Sequence, residues 1–395
     1  MAATKTGVWD LQQVRDKQLA SEWGYAAADP GSYFTWGNNN MGQLGQNTTD
    51  DISSPVQVPG SWSGLFSSAG GEGTSGGVKT DGTLWTWGFN GFGQGGRNDR
   101  VHRSSPVQVG TDTNWGVGAL RTGSYWSMAT KTNGTLWTWG RNGEGWLGHN
   151  KLDNASSPTQ VGTDTTWGTG QDKCAADNGN CLAIKTDGTL WSWGAQDTGA
   201  LGQNNNTSRS SPMQVGTNTT WSTVTTCVNS TLAIKTDGTL WAWGVNERGE
   251  LGQNQGPGGP YANSRSSPTQ VGTETTWTQI RACGGGAIWG LKTNGTLWSW
   301  GYNSFGFTGQ NDTVLHSSPC QIGTDTNWQS VRGSSGALAK CTKTDGTLWL
   351  WGRNDFGGAI PGGEATDFSS PVQVPGTSFG PLVGGTQYGV AVVLA

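Results

Sequence analysis

A Trp-Gly pair recurs along this 395-residue chain at Trp36, Trp87, Trp139, Trp193, Trp243, Trp300 and Trp351, every 50 to 57 residues. No other feature constrains the fold as tightly. A unit of that length cannot bury its own apolar faces and must stack on copies of itself. Two further markers keep the same phase. Ser-Pro-x-Gln followed by Val or Ile appears seven times, with prolines Pro55, Pro106, Pro158, Pro212, Pro268, Pro319 and Pro371. Lys-Thr-(Asp/Asn)-Gly appears six times, starting at Lys79, Lys131, Lys185, Lys235, Lys292 and Lys343.

Each unit reads as four strands. In the fifth unit the first follows Trp221 to Val224 and the second is Leu232 to Lys235. Asp237-Gly238 then makes a tight turn, because these residues accept the positive φ of a hairpin. The third strand is Thr239 to Trp243, and a Gly/Asn-rich loop leads to a fourth around Gln270-Val271. Along the third strand Leu240 and Ala242 face one way and Trp241 and Trp243 the other. Both faces of a blade meet neighbouring blades, so the tryptophans read as packing between blades. A composition with 67 Gly and 24 Trp fits an all-β repeat fold. The expectation is a seven-bladed β-propeller of four-stranded antiparallel blades. The chain enters mid-blade, since Ser32 to Gly37 matches a third strand. Phe379 to Gly385 matches a first strand and Tyr388 to Ala395 a second, so the N- and C-terminal strands are expected to share one blade and close the ring. Residues 1–30 form a separate N-terminal arm, and residues 31–395 the propeller.

Charge and chemistry narrow the functions. Charged residues are 13% of the chain, with 23 Lys+Arg against 27 Asp+Glu. That scatter argues against a nucleic-acid partner, which needs a concentrated basic face. No apolar run of 18 residues occurs, so no membrane insertion is expected. The N-terminus lacks the apolar core of an export signal. The six cysteines form no CxxC pair. Cys174, Cys227 and Cys283 fall six or seven residues after Trp167, Trp221 and Trp277, one equivalent position that reads as a small buried residue, so free thiols are expected. Cys174 and Cys181 flank a short loop and are the one pair left open to bridging. No nucleophile elbow, HExxH or phosphate loop is present. His102, His149 and His316 lie in three different repeats, which disfavours a triad or a metal site. The chain therefore reads as no enzyme, with no catalytic residues, no metal and no cofactor.

What remains is a face. Loops after the first and third strands of each blade lie on one side, and they vary while the opposite turns are nearly constant. Variable loops carrying aromatics and arginines are what binding surfaces favour. The candidate partner-binding residues are Arg97, Arg100, His102, Arg103, Tyr125, Trp126, Trp146, His149, Tyr261, Tyr302, Phe307 and Arg353. Phe305 and Phe356 stand beside glycines and read as packing of the loop base. The insertion Gln255–Ala262 (QGPGGPYA) reads as a surface elaboration or a rigid contact loop.

The repeat LAIKTDGTLWTWGxNxxGQLG followed by SPxQVG resembles the repeats of the regulator of chromosome condensation family, over residues 31–395. That resemblance implies the propeller fold. It also brings the family's exchange activity on the small GTPase Ran into view. Many family repeats place a His after the glycine that ends the first strand. Here the matching stretches are GSYWSMAT, NGNCLAIK, VNSTLAIK and GGAIWGLK, without His, which puts that activity in doubt. The arm, with Trp9, Leu11, Val14, Leu19 and Trp23, resembles N-terminal segments of structural proteins of marine tailed phages over about twenty residues. The resemblance implies a virion-located structural or appendage protein. Its arm would anchor to other virion proteins, and its propeller would meet a protein, a host-surface receptor or a glycan. The alternatives are a secreted or cell-surface bacterial binding module and an intracellular exchange-factor-like scaffold.

Overall fold

The computed structural model describes residues 33–67, 73–117, 120–123, 125–170, 172–176, 179–196, 198–227, 229–256, 263–283, 285–333, 338–354, 367–374 and 392–393. The expected arm, residues 1–30, lies outside them, as do Tyr261, Phe356, 257–262 of the insertion and the strand expected at 379–385. The unit of Trp243 shows how the sequence builds a blade. Its strands are Trp221–Cys227, Ser230–Lys235, Leu240–Gly244 and Arg265–Gln270, paired antiparallel in chain order. The turn between the second and third closes on Asp237, whose Oδ1 accepts the Thr239 backbone N–H at 3.0 Å, with Gly238 at φ 77°. The fourth strand begins earlier than expected and contains Pro268. It is the outermost strand, where a missing N–H leaves no ladder bond unmade. A register shift between Ala242 and Gly244 accommodates it.

Six four-stranded sheets of this kind occur among the described residues. They are numbered here in chain order: blade 1 (62–108), blade 2 (121–160), blade 3 (174–214), blade 4 (221–270), blade 5 (277–321) and blade 6 (328–374). First strands of consecutive blades touch one another, so they are the innermost strands around the axis. The expectation of seven four-stranded blades is therefore corrected to six. The Trp36 unit has a third strand, Tyr33–Gly37, and a fourth, Ile52–Gln57, and no four-stranded sheet forms around them among the described residues. Its sheet has three strands, the last being Val392–Val393 against Tyr33 and Phe34.

Consecutive units are joined by two repeated hydrogen bonds. The indole N–H groups of Trp87, Trp139, Trp193, Trp243, Trp300 and Trp351 donate to the carbonyls of Gln43, Gln94, Trp146, Ala200, Glu250 and Phe307 in the preceding unit, at 2.7–3.0 Å. The backbone N–H groups of Asn47, Asn98, Asn150, Asn204, Asn254 and Asn311 reach the carbonyls of Ser104, Ser156, Ser210, Ser266, Ser317 and Ser369 in the next unit, at 2.7–2.8 Å. These asparagines have φ between 56° and 62°, a left-handed conformation that Asn tolerates. The approach is close: a Cβ on Gly306, at φ +73°, would lie 2.3 Å from the Cα of Ser369. The loop motif NxxGQLGQN is thus a clasp between blades. Beneath it, Trp87, Trp139, Trp193, Trp243, Trp300 and Trp351 are wholly buried. The lysine of the Lys-Thr-(Asp/Asn)-Gly turn also has a packing role. Lys185 Nζ lies 3.9 Å from the centre of the Trp191 ring and 2.9 Å from Asp164.

All six thiols are unbridged. Cys174 pairs in register with Ala183, and Cys181 with Ala176. Burial pushes the Cys174 thiol up to about 11, out of the nucleophilic range.

Candidate protein-binding face

The face carrying the loops after the third strands divides the expected contact residues into three groups. Some are structural. Trp126 is 1% exposed and lies in the core of blades 2 and 3. Phe307 is 2% exposed, and its carbonyl accepts the indole N–H groups of Trp289 and Trp351. Neither can meet a partner, because each fills space between blades. Arg97 and His149 are also structural. Arg97 reaches under its loop to Thr86 Oγ1 at 2.6 Å and the Val101 carbonyl at 3.0 Å, with 5% of its side chain exposed. His149 Nε2 lies 2.8 Å from Thr138 Oγ1 and 3.2 Å from the Thr159 carbonyl. Desolvation lowers its pKa, keeping it neutral. Both occupy the position of Gln46, Gln203 and Gln310, which bond the same third-strand hydroxyl in other units.

A second group closes the loop of blade 1. His102 is exposed and stacks on Phe89 at 4.8 Å, while its Nδ1 accepts the Asn90 backbone N–H at 2.9 Å. Arg103 pairs with Asp99 at 3.1 Å, and Arg100 is exposed beside them.

The third group is a surface of rings and guanidiniums. The Arg141 guanidinium lies 5.4 Å from the rings of Phe92 and Tyr125 and 5.2 Å from that of Trp146. Phe92 meets Tyr125 edge-on at 4.8 Å, so this cluster straddles the junction of blades 1 and 2. Farther round, Arg248 lies 4.5 Å from Tyr302 and donates to the Gly285 carbonyl at 2.8 Å. The exposed Arg353 lies 5.0 Å from Phe305. Sequence reasoning missed Phe92, Arg141 and Arg248 and set Phe305 aside. The signal was available. These residues stand one or four positions after the glycine of a Trp-Gly pair, where the chain leaves the third strand and emerges on the face.

An arrangement of this kind suits contact with a partner. Guanidiniums stacked on half-buried rings have little entropy left to lose on binding. No group of three His, Cys, Asp or Glu residues that could hold a metal occurs among the described residues. A propeller of tandem blades with rings and guanidiniums at its loop ends is the class this structure defines.

The sequence pattern described as the Regulator of chromosome condensation (RCC1) repeat matches residues 30–67, 81–129, 133–173, 187–234 and 237–287, five stretches that together cover more than half of the sequence. The chain belongs to this repeat family. It is 29% identical over 210 residues to the ultraviolet-B receptor UVR8 of Arabidopsis thaliana, a match covering 52% of this chain and 47% of the receptor. It is 28% identical over 347 residues to the mitochondrial RCC1 domain-containing protein RUG3 of the same plant, covering 84% of this chain and 64% of that protein. The match to human E3 ubiquitin-protein ligase HERC2 covers 45% of this chain and 4% of the ligase. The chain thus spans less than two thirds of these relatives. Among solved structures, Prp20p from Saccharomyces cerevisiae superposes with a TM-score of 0.78 at 19% identity, over 98% of this chain and 96% of Prp20p. Human WBSCR16 superposes with a TM-score of 0.76 at 19% identity, over 92% and 99%. None of these comparisons indicates a phage or virion protein, and that expectation is withdrawn.

Proposed function

We propose that the chain is a non-catalytic protein-binding scaffold that engages its partner through the loop face, as an exchange-factor-like module does. The observation that carries this reading is the Phe92–Tyr125–Arg141–Trp146 cluster. It is held by the scaffold, reaches the surface between two blades, and has the residue types that dominate interface energetics. Family relatives support the partner class. The structure of Prp20p was described together with its binding to Gsp1p and histones, and another structure holds Kap60 bound to yeast RCC1. Binding of the purified chain to a nucleotide-free small GTPase and to core histones tests the proposal by interferometry. The Tyr125→Ala/Arg141→Ala variant is expected to bind about ten-fold or more weakly. Unchanged affinity in the variant refutes the assigned surface. Failure of the wild-type chain to bind either protein refutes the partner class.

A further inference from the structure

The innermost strands carry an arrangement that neither the clasp nor the loop face uses. Arg121, Arg281 and Arg332 stand at one rung of three different blades. Each pairs in register with the second-strand residue three positions before the turn lysine: Met128, Trp289 and Lys340. The same rung holds Phe66, Ala175 and Thr225 in the other blades. In each arginine Nη1 donates to the carbonyl of the residue before it, Leu120, Ile280 or Val331, at 2.7–2.8 Å. Arg121 Nε also reaches the Cys174 carbonyl at 3.3 Å. The three guanidiniums are therefore presented alike.

One carboxylate lies within reach of their charge, and one of the three bonds to it directly. Arg281 of blade 5 bonds and ion-pairs with Asp172, which precedes the first strand of blade 3, so the contact crosses blade 4 inside the ring. The carbonyl of Asp172 is docked on the Val224 N–H at 3.1 Å, which holds the backbone that carries the carboxylate. Arg281, then Arg332, then Arg121 hold the Asp172 carboxyl below its ordinary range, against the opposing effect of burial, which is the largest single influence. Burial brings Arg332 down to about 9 and Arg121 to about 10, and neighbouring guanidiniums add to both shifts. Both stay charged at neutral pH. The neighbouring Lys173 ammonium is turned away to the Ser222 carbonyl at 2.7 Å. The Asp172 side chain is 38% exposed, so the cluster opens to solvent there.

Three guanidiniums within electrostatic range of one another, Arg332 buried and Arg121 and Arg281 partly so, repel, and an anion among them relieves that repulsion. Planar forks also match the oxygens of phosphate better than any other side chain does. We propose that the inner strands of the ring form a binding site for a tetrahedral oxyanion of the phosphate class, with Asp172 as the internal group that competes for it. The carboxylate closes the site when the anion is absent, and Arg281, which it engages directly, is the residue that must release it.

Thermal unfolding and titration calorimetry test this on the full chain, with inorganic phosphate and glycerol 1-phosphate as separate arms and sodium chloride at matched ionic strength as the control. Wild-type protein is expected to melt higher in at least one phosphate arm than in chloride. Asp172→Asn removes the competitor and should lower the apparent Kd about ten-fold, the effect of losing one charge-assisted bond. Arg281→Met should abolish the phosphate-specific shift. Arg281→Met is informative only if its circular dichroism matches the parent, and otherwise the Asp172→Asn comparison decides. An esterified phosphate binding in place of the free anion identifies the source and supports the site. Equal melting in phosphate and chloride for both wild type and Asp172→Asn overturns the proposal.

Discussion

The indole bonds between blades make a prediction with an internal control. The Ala200 carbonyl accepts two hydrogen bonds, from Trp243 Nε1 at 2.9 Å and from Thr231 Oγ1 at 2.9 Å. The Glu250 carbonyl one unit later accepts Trp300 Nε1 at 2.9 Å, and Ile288 stands where Thr231 does, so no hydroxyl shares it. Trp243 and Trp300 are both 0% exposed, and replacing either by Phe removes the same indole volume. The cavity term therefore cancels in the comparison. Trp243→Phe leaves Ala200 still bonded and should lose the worth of one bond, about 0.5–1.5 kcal/mol beyond packing. Trp300→Phe leaves a buried carbonyl unsatisfied, at about 1–3 kcal/mol beyond packing. The difference should be about 1 kcal/mol or more. Thr231→Val should be mild alone and synergistic with Trp243→Phe, because only the double variant strands the Ala200 carbonyl. Urea unfolding followed by fluorescence and circular dichroism measures all four. The reasoning is refuted if Trp243→Phe and Trp300→Phe agree within about 0.4 kcal/mol and the cycle is additive.

Two further expectations concern pH. Burial raises the pKa of Glu250, whose Oε2 accepts the Arg248 backbone N–H at 2.7 Å. The folded state then binds more protons than the unfolded one, so stability falls as pH rises from the unfolded value through the folded one. Glu250→Gln keeps the acceptor, as Gln94 does toward Phe92, and should stabilise the chain at pH 7 with the gain vanishing near pH 4; a gain equal at both pH values would contradict this. Burial brings Lys340 down to about 7. Here the unfolded state binds more protons between that value and its own of about 10.4, so stability climbs with pH across the window, by up to about 5 kcal/mol. Lys340→Met should flatten that climb in melting curves from pH 6.5 to 9.5, and an unchanged slope would show that the lysine titrates normally.

Strand by strand, what the sequence reveals follows from how local each feature is. The third strand and its turn are readable because Leu240, Gly238 and Asp237 meet requirements set by their neighbours in sequence. The outer strand was placed late because Pro268 looks like a terminator until one knows that the strand lies at an edge. Arg97 and His149 look like surface groups, yet the glutamines at the same repeat position mark a bond to the third strand. Counting Trp-Gly pairs gave one four-stranded blade too many, since a marker reports a strand and not its partners. The arginine rung was only partly legible. Arg281 and Arg332 each follow a first-strand Trp by four residues, but Arg121 follows Trp115 by six, and only the register across separate blades links the three.

The clasp has a consequence for how such a chain can change. Its partners are backbone atoms and invariant ring nitrogens, and each junction makes the same bonds as the next. These two bonds do not identify which unit stands on either side. A unit excised, duplicated or transplanted with its loop would find a fitting neighbour, while the residues one and four positions past each Trp-Gly pair travel with it. The order of units is thus a modular text written on the face, editable by recombination without redrafting the grammar that binds the units together.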